Sequence, residues 1–225
     1  MFQKLLTSAL FAGFAAGLIA ALLQLAFVQP SLLRAELFES GTLTHFGSGP
    51  TPVPEIPFAI DPVRDALSVL FSALIYTGYA MLLVVAMSVA ENRGARIDAR
   101  TGLIWGVAGF VAVQLAPAFS LPPELPGSAA AEVGARQVWW FVTIAATGAG
   151  LALIAFGRSL WPALAGAVLI LLPHLVGAPH HASYAGPVPP ELAGLFASRA
   201  LGVGLMAWAI LGTIAGYVWS RGEAQ

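Results

Sequence analysis

The sequence predicts an all-α protein, a polytopic transmembrane helix bundle of six spans. Of 225 residues, 58% are apolar and 9% are charged, against about 45–50% and about 25% in a soluble domain. Mean hydropathy is +0.83. Apolar runs recur from end to end, each near the roughly 20 residues that cross a hydrocarbon core of about 30 Å. The whole chain, 1–225, reads as a single integral membrane domain.

The runs are Leu5 to Val28, Leu67 to Ala90, Gly102 to Leu121, Val138 to Phe156, Leu160 to Gly177 and Leu195 to Trp219. Lys4 precedes the first, as in a signal peptide, but the run is far longer than an h-region of about 7–15 residues and lacks a clear cleavage site. It reads as an uncleaved helix. Gly157, Arg158 and Ser159 separate the fourth and fifth runs; fusing those runs would bury Arg158 in the membrane, which is costly. Under six spans, Lys4, Arg93, Arg96, Arg100, Arg158 and Arg221 share one side in short segments, and Arg34, Arg64 and Arg136 lie opposite in longer loops. Positive residues stay inside, so both termini are expected to be cytoplasmic.

The loops Gln29 to Ala66, Pro122 to Gln137 and Ala178 to Gly194 then face outward. They hold His45, His180 and His181, with Glu36, Glu39, Glu55, Asp61, Asp65, Glu124, Glu132 and Glu191. Imidazole and carboxylate on the outer face suit capture of an arriving cation, although loops are polar in any membrane protein.

Weak internal similarity runs through the same loops. Pro122-Pro123-Glu124-Leu125 matches Pro189-Pro190-Glu191-Leu192, each followed by an arginine, Arg136 or Arg199. Pro54-Glu55-Ile56-Pro57 and Arg64 form a looser version, and Gln24-Leu25-Ala26 recurs as Gln114-Leu115-Ala116. Three repeated helical hairpins would produce this pattern, and transporters are often built from repeats.

Composition also excludes functions. Cysteine is absent, which removes disulfides, thiolate nucleophiles and iron–sulfur clusters. A net charge of −1 leaves no basic surface for nucleic acid. The single lysine, Lys4, and the lack of a phosphate-binding loop exclude an ATP-driven motor within this chain. H-E-x-x-H, G-x-S-x-G and a paired intramembrane carboxylate set are missing, so an enzyme is not expected. No resident cofactor is expected either.

His174 is the most informative residue, because it follows Pro173 inside the fifth run. Ionisable groups at such depth are functional hypotheses by default, and proline leaves a backbone carbonyl unpaired beside it. The competing reading is an interhelical hydrogen bond from a neutral ring. His174, His180, His181 and Glu191 fall within 18 residues of one another; with His45 they are the candidate metal ligands. Gln24 and Gln114 sit late in their spans, where amides join helices. Arg199 is expected to pair with Glu191 or to snorkel. Gly13-x3-Gly17, Gly102-x3-Gly106 and Gly212-x3-Gly216 permit close helix contact. Trp105, Trp139, Trp140, Trp161 and Trp219 fall mostly near span ends, as interfacial anchors do.

The opening Met1-Phe2-Gln3-Lys4-Leu5-Leu6, the loop bearing Glu36, Arg136-Gln137-Val138-Trp139-Trp140, and Leu171-Leu172-Pro173-His174-Leu175-Val176-Gly177-Ala178-Pro179 together resemble the CbtA family of predicted cobalt transporter subunits. The resemblance covers almost the whole chain. It implies a bacterial cytoplasmic (inner) membrane protein linked to cobalt supply for cobalamin biosynthesis. It also implies a small single-span, histidine-bearing CbtB-like companion. The function expected is therefore the membrane subunit of a divalent transition-metal uptake system, with Co(II) as cargo. A non-transporting assembly or accessory protein is the alternative. The chemistry itself accommodates Co(II), Ni(II), Zn(II) or Mn(II) and disfavours Cu(I), since there is no Cys and little Met.

Overall fold

A computed structural model describes residues 2–45, 61–181 and 186–221. Every regular element among them is helical. Five helices are long and apolar enough to cross a membrane: α1 (Phe2–Glu39), α2 (Pro62–Glu91), α3 (Ala99–Ser120), α4 (Val133–Phe156) and α6 (Pro190–Arg221). The sixth, α5 (Leu160–Val176), has 17 residues, or roughly 26 Å at 1.5 Å per residue, the short end of what spans a bilayer. The six apolar runs are thus six helices, and the division after Phe156 is real. Gly157 closes α4 and Ser159 begins α5, leaving Arg158 exposed between them.

Two helices overrun their expected ends. The first continues to Glu39, eleven residues past Val28, and the last begins at Pro190, five before Leu195. The connections after α1 and before α6 are correspondingly shorter than hydropathy suggests. Pro122–Leu125 lies in an irregular loop whereas Pro190–Leu192 opens α6, so the matching tetrapeptides do not share a structure. The Pro54–Pro57 version lies outside the described residues.

Caps fix several boundaries. Asp61 accepts from the backbone N–H groups of Val63 and Arg64, both at 3.1 Å, with Pro62 at the first helical position of α2, a strong start signal. Asp98 and Thr101 cap α3 reciprocally: Thr101 N–H donates to Asp98 Oδ1 at 2.9 Å and Asp98 N–H to Thr101 Oγ1 at 2.8 Å. Glu132 accepts from Gly134 and Ala135 at the head of α4.

Helices α1 and α3 each contain a wide, π-type turn, at Gln24–Val28 and Val111–Leu115. Each turn is followed two residues later by a proline, Pro30 or Pro117. Proline has no N–H, and its ring clashes with the carbonyl four residues back, here Ala26 or Val113, inside the wide turn in both cases. Widening the turn makes room for the ring and lets the helix continue.

The chain divides into two compact units. One comprises Met1–Val28, Phe58–Phe110 and Gly202–Gln225; the other comprises Gln29–Pro57 and Val111–Leu201. In the first, glycines bring backbones together. A Cβ on Gly13 or Gly17 would meet the α2 backbone at Thr77 or Ala73. A Cβ on Gly102 or Gly106 would run into α6 at Gly212 or Trp208, and Gly212 is blocked in return by Gly102 and Gly106. All three glycine pairs read from the sequence are therefore contact points. In the same unit Lys4 Nζ lies 4.1 Å over the Trp219 ring, and Trp219 Nε1 donates to Glu91 Oε1 at 2.8 Å. In the second unit α4 packs along α5, with Gly150 and Gly166 backbone against backbone.

Candidate metal-handling site

The second unit contains His174, in the last turn of α5. Its Nδ1 lies 2.9 Å from Ser120 Oγ, at the end of α3. Phe119 and Trp139 meet the imidazole edge-on, with centroids at 5.3 and 5.8 Å. Trp139 is itself anchored, because its Nε1 donates to the Pro173 carbonyl at 3.2 Å. That carbonyl also accepts the Gly177 N–H at 3.1 Å. Gly177 ends α5 with φ +92°, a conformation that glycine adopts without strain.

The ring is thus held on three sides, half-buried, with one nitrogen engaged by a hydroxyl. In the tautomer that donates from Nδ1 to Ser120, Nε2 carries the lone pair. The described residues give Nε2 no hydrogen-bond partner. A hydrogen bond at one imidazole nitrogen orients the other as a ligand. The site joins Arg136-Gln137-Val138-Trp139-Trp140 to Leu171–Pro179 through Trp139, Pro173 and His174.

The remaining candidate ligands are dispersed. His45, His180, His181 and Glu191 are exposed. Among the described residues no three of His, Cys, Asp or Glu assemble at metal-binding spacing. Several carboxylates between the helices have structural work instead. Asp61 and Glu132 are helix caps, Asp65 pairs with Arg64 at 3.1 Å, and Glu124 pairs with Arg136 at 2.7 Å. The backbone N–H groups of Gly134 and then Ala135 hold the Glu132 carboxyl below its usual range. Glu55 lies outside the described residues. Arg199 donates from Nη1 to Ser31 Oγ at 3.1 Å, a partner that sequence spacing did not indicate.

Gln24 joins helices as expected, its Oε1 accepting from Ser72 Oγ of α2 at 3.2 Å. Gln114 does not: its Oε1 is buried without a hydrogen-bond partner, and so is Thr147 Oγ1 on α4. Ser120, Trp139 as a donor, and Thr147 were not read from the sequence as site residues. Ser120 and Thr147 carry no sequence signal beyond a hydroxyl in or beside an apolar run. Trp139 did, as part of the most specific tryptophan motif.

A bundle with five helices long and apolar enough to cross a membrane, and a half-buried imidazole set beside a serine and two aromatic rings, is of the class of polytopic helical membrane proteins. The chain matches, over residues 2–220, the family CbtA, described as "probable cobalt transporter subunit". It belongs to that family, and is accordingly a membrane subunit of a metal transporter. No curated protein and no solved structure matches it.

Proposed function

We propose that the chain takes up a divalent transition metal, cobalt in the first instance, by capturing it on the outer face and passing it through the helix bundle. The observation that carries this is His174, whose Nδ1 is held by Ser120 and whose Nε2 has no described protein partner. A neutral imidazole coordinates a divalent ion without placing a fixed charge in the apolar layer. His45, His180, His181 and Glu191 act as a loose outer antechamber, binding cation weakly because they are exposed and scattered. The protein sits in a bacterial inner membrane with both ends cytoplasmic and works with a small single-span CbtB-like subunit. Its role is transport, not catalysis.

The test is radiolabelled Co(II) uptake into proteoliposomes, with and without the companion subunit. His174→Gln retains a hydrogen bond for Ser120 but is a poor metal ligand, so uptake should fall at least about tenfold, the scale of losing an oriented ligand. Normal uptake by this variant at wild-type expression would leave His174 as a packing residue. No uptake by the wild type in either arrangement would favour an accessory role instead.

A further inference from the structure

Two buried polar atoms remain unexplained in the unit that holds His174: Gln114 Oε1 and Thr147 Oγ1 have no hydrogen-bond partner. Thr147 is wholly buried. An unpaired buried polar group costs about 1–3 kcal/mol, and hydrocarbon offers it nothing, so each such group calls for a physical reason. The two lie on elements that touch: the wide turn Val111–Leu115, which contains Gln114, packs against α4, which contains Thr147. Wide turns of this kind recur at functional sites in helices.

Both positions lie on the inward side of His174. Gln114 precedes Ser120, the His174 partner, by six residues, or roughly 9 Å of helix; Thr147 follows Trp139 by eight, or roughly 12 Å. Trp139, Thr143 and Thr147 recur every four residues on one buried face of α4. Thr143 Oγ1 donates to the Trp139 carbonyl at 2.8 Å, so that hydroxyl is satisfied within the helix. Thr147 is the next group along the same face.

We propose that Gln114 and Thr147 line a hydrated station for the cation, one level inward of His174, and engage the waters of its hydration shell. The inference rests on the transport reading for the identity of the cation, and on the structure alone for the presence of water. An amide oxygen accepts, and a hydroxyl both donates and accepts, so both can bind water. Neutral oxygens are poor replacements for the inner shell of a divalent ion but good partners for water already on it. The ion therefore exchanges a direct imidazole contact for contacts through retained water.

The absence of cysteine makes the test clean. Gln114→Cys and Thr147→Cys, each a single thiol in the full chain in proteoliposomes, are treated with a small charged, membrane-impermeant thiosulfonate. Thiolate forms in water and not in hydrocarbon, so both should react at least about tenfold faster than Leu115→Cys, at an exposed apolar position. Excess Co(II) should slow that reaction several-fold, and Na+ at the same ionic strength should not. Modification no faster than at Leu115→Cys would overturn the hydrated station, whether or not the protein transports metal. Protection by Na+ and not by Co(II) would overturn its assignment to the divalent cargo. Thr147→Val gives a second reading: a mere packing defect would be cured, raising thermal stability with uptake intact. The station predicts a severalfold fall in uptake, with Co(II) binding at His174 unchanged and activity restored by Thr147→Ser.

Discussion

A single hydroxyl decides which nitrogen of His174 is presented. Ser120 Oγ sits 2.9 Å from Nδ1, while Phe119 and Trp139 restrict ring rotation from two directions. Removing the hydroxyl by Ser120→Ala should cost little stability, since intramembrane hydrogen bonds are worth about 0.6 kcal/mol on average. On the proposed role of His174 as a ligand, metal affinity should respond more, falling about 10- to 100-fold as it does when groups behind a ligand are removed. Titrating Co(II) into purified protein by calorimetry measures this. Ser120→Thr should restore affinity, and Ser120→Ala should have no further effect in a His174→Ala background. An equal loss in that background would show that Ser120 acts on packing and not through the ring. His174 was legible in the sequence because an ionisable residue stands out in an apolar run. Its partners were not, because a serine at the end of one helix and a tryptophan near the start of another meet it only in the folded chain.

Among the elements, α4 owes its start to a charge. Glu132 accepts two backbone N–H bonds at 2.8 and 2.7 Å, and these hold its carboxyl below the ordinary value. A group depressed on folding contributes stability above its unfolded pKa and loses it as pH falls through the folded one. Amide protection factors in the first turn of α4, with the intrinsic pH dependence of exchange divided out, should therefore be steady from neutral down to the ordinary glutamate range and fall only below it. Glu132→Gln should remove that acid dependence. Helix contacts make a second prediction. Gly106 faces the α6 backbone at Trp208 and Gly212, so Gly106→Leu should destabilise by about 1–3 kcal/mol or more, the cost of overpacking. Gly78→Ala, into open space, should not. Thermal unfolding in detergent compares them. The three glycine spacings were readable because small residues four apart mark one face. The last turns of α1 were not, since Arg34, Glu36 and Glu39 lower hydropathy without interrupting the helix. The wide turns were half-readable: Gln-Leu-Ala recurs, but the physical cause is the proline after each turn, and Gln24 and Gln114 occupy different positions within them.

For the molecule as a whole, topology is constrained by a contact as well as by charge. Lys4 lies over Trp219, and Trp219 donates to Glu91. The start of α1, the end of α2 and the end of α6 therefore share one end of their unit, and a chain that begins and finishes at one end crosses an even number of times. Six crossings satisfy this and five do not, so the short α5 has to span despite its 17 residues. The side that end is expected to face follows from the positive residues of the same unit: Lys4, Arg93, Arg96, Arg100 and Arg221 lie in short segments there, and the positive-inside rule puts such segments in the cytoplasm. Alkaline phosphatase, active only in the periplasm, should be inactive when fused after Arg221 and active when fused after Ser128, in the loop between α3 and α4. Activity at the first junction would refute the orientation, and equal activity at both would refute the even number of crossings. Trp219→Phe, which deletes the bond to Glu91 and keeps a ring under Lys4, should leave both fusions unchanged, because inserted topology is set by arginine and lysine placement and not by one hydrogen bond.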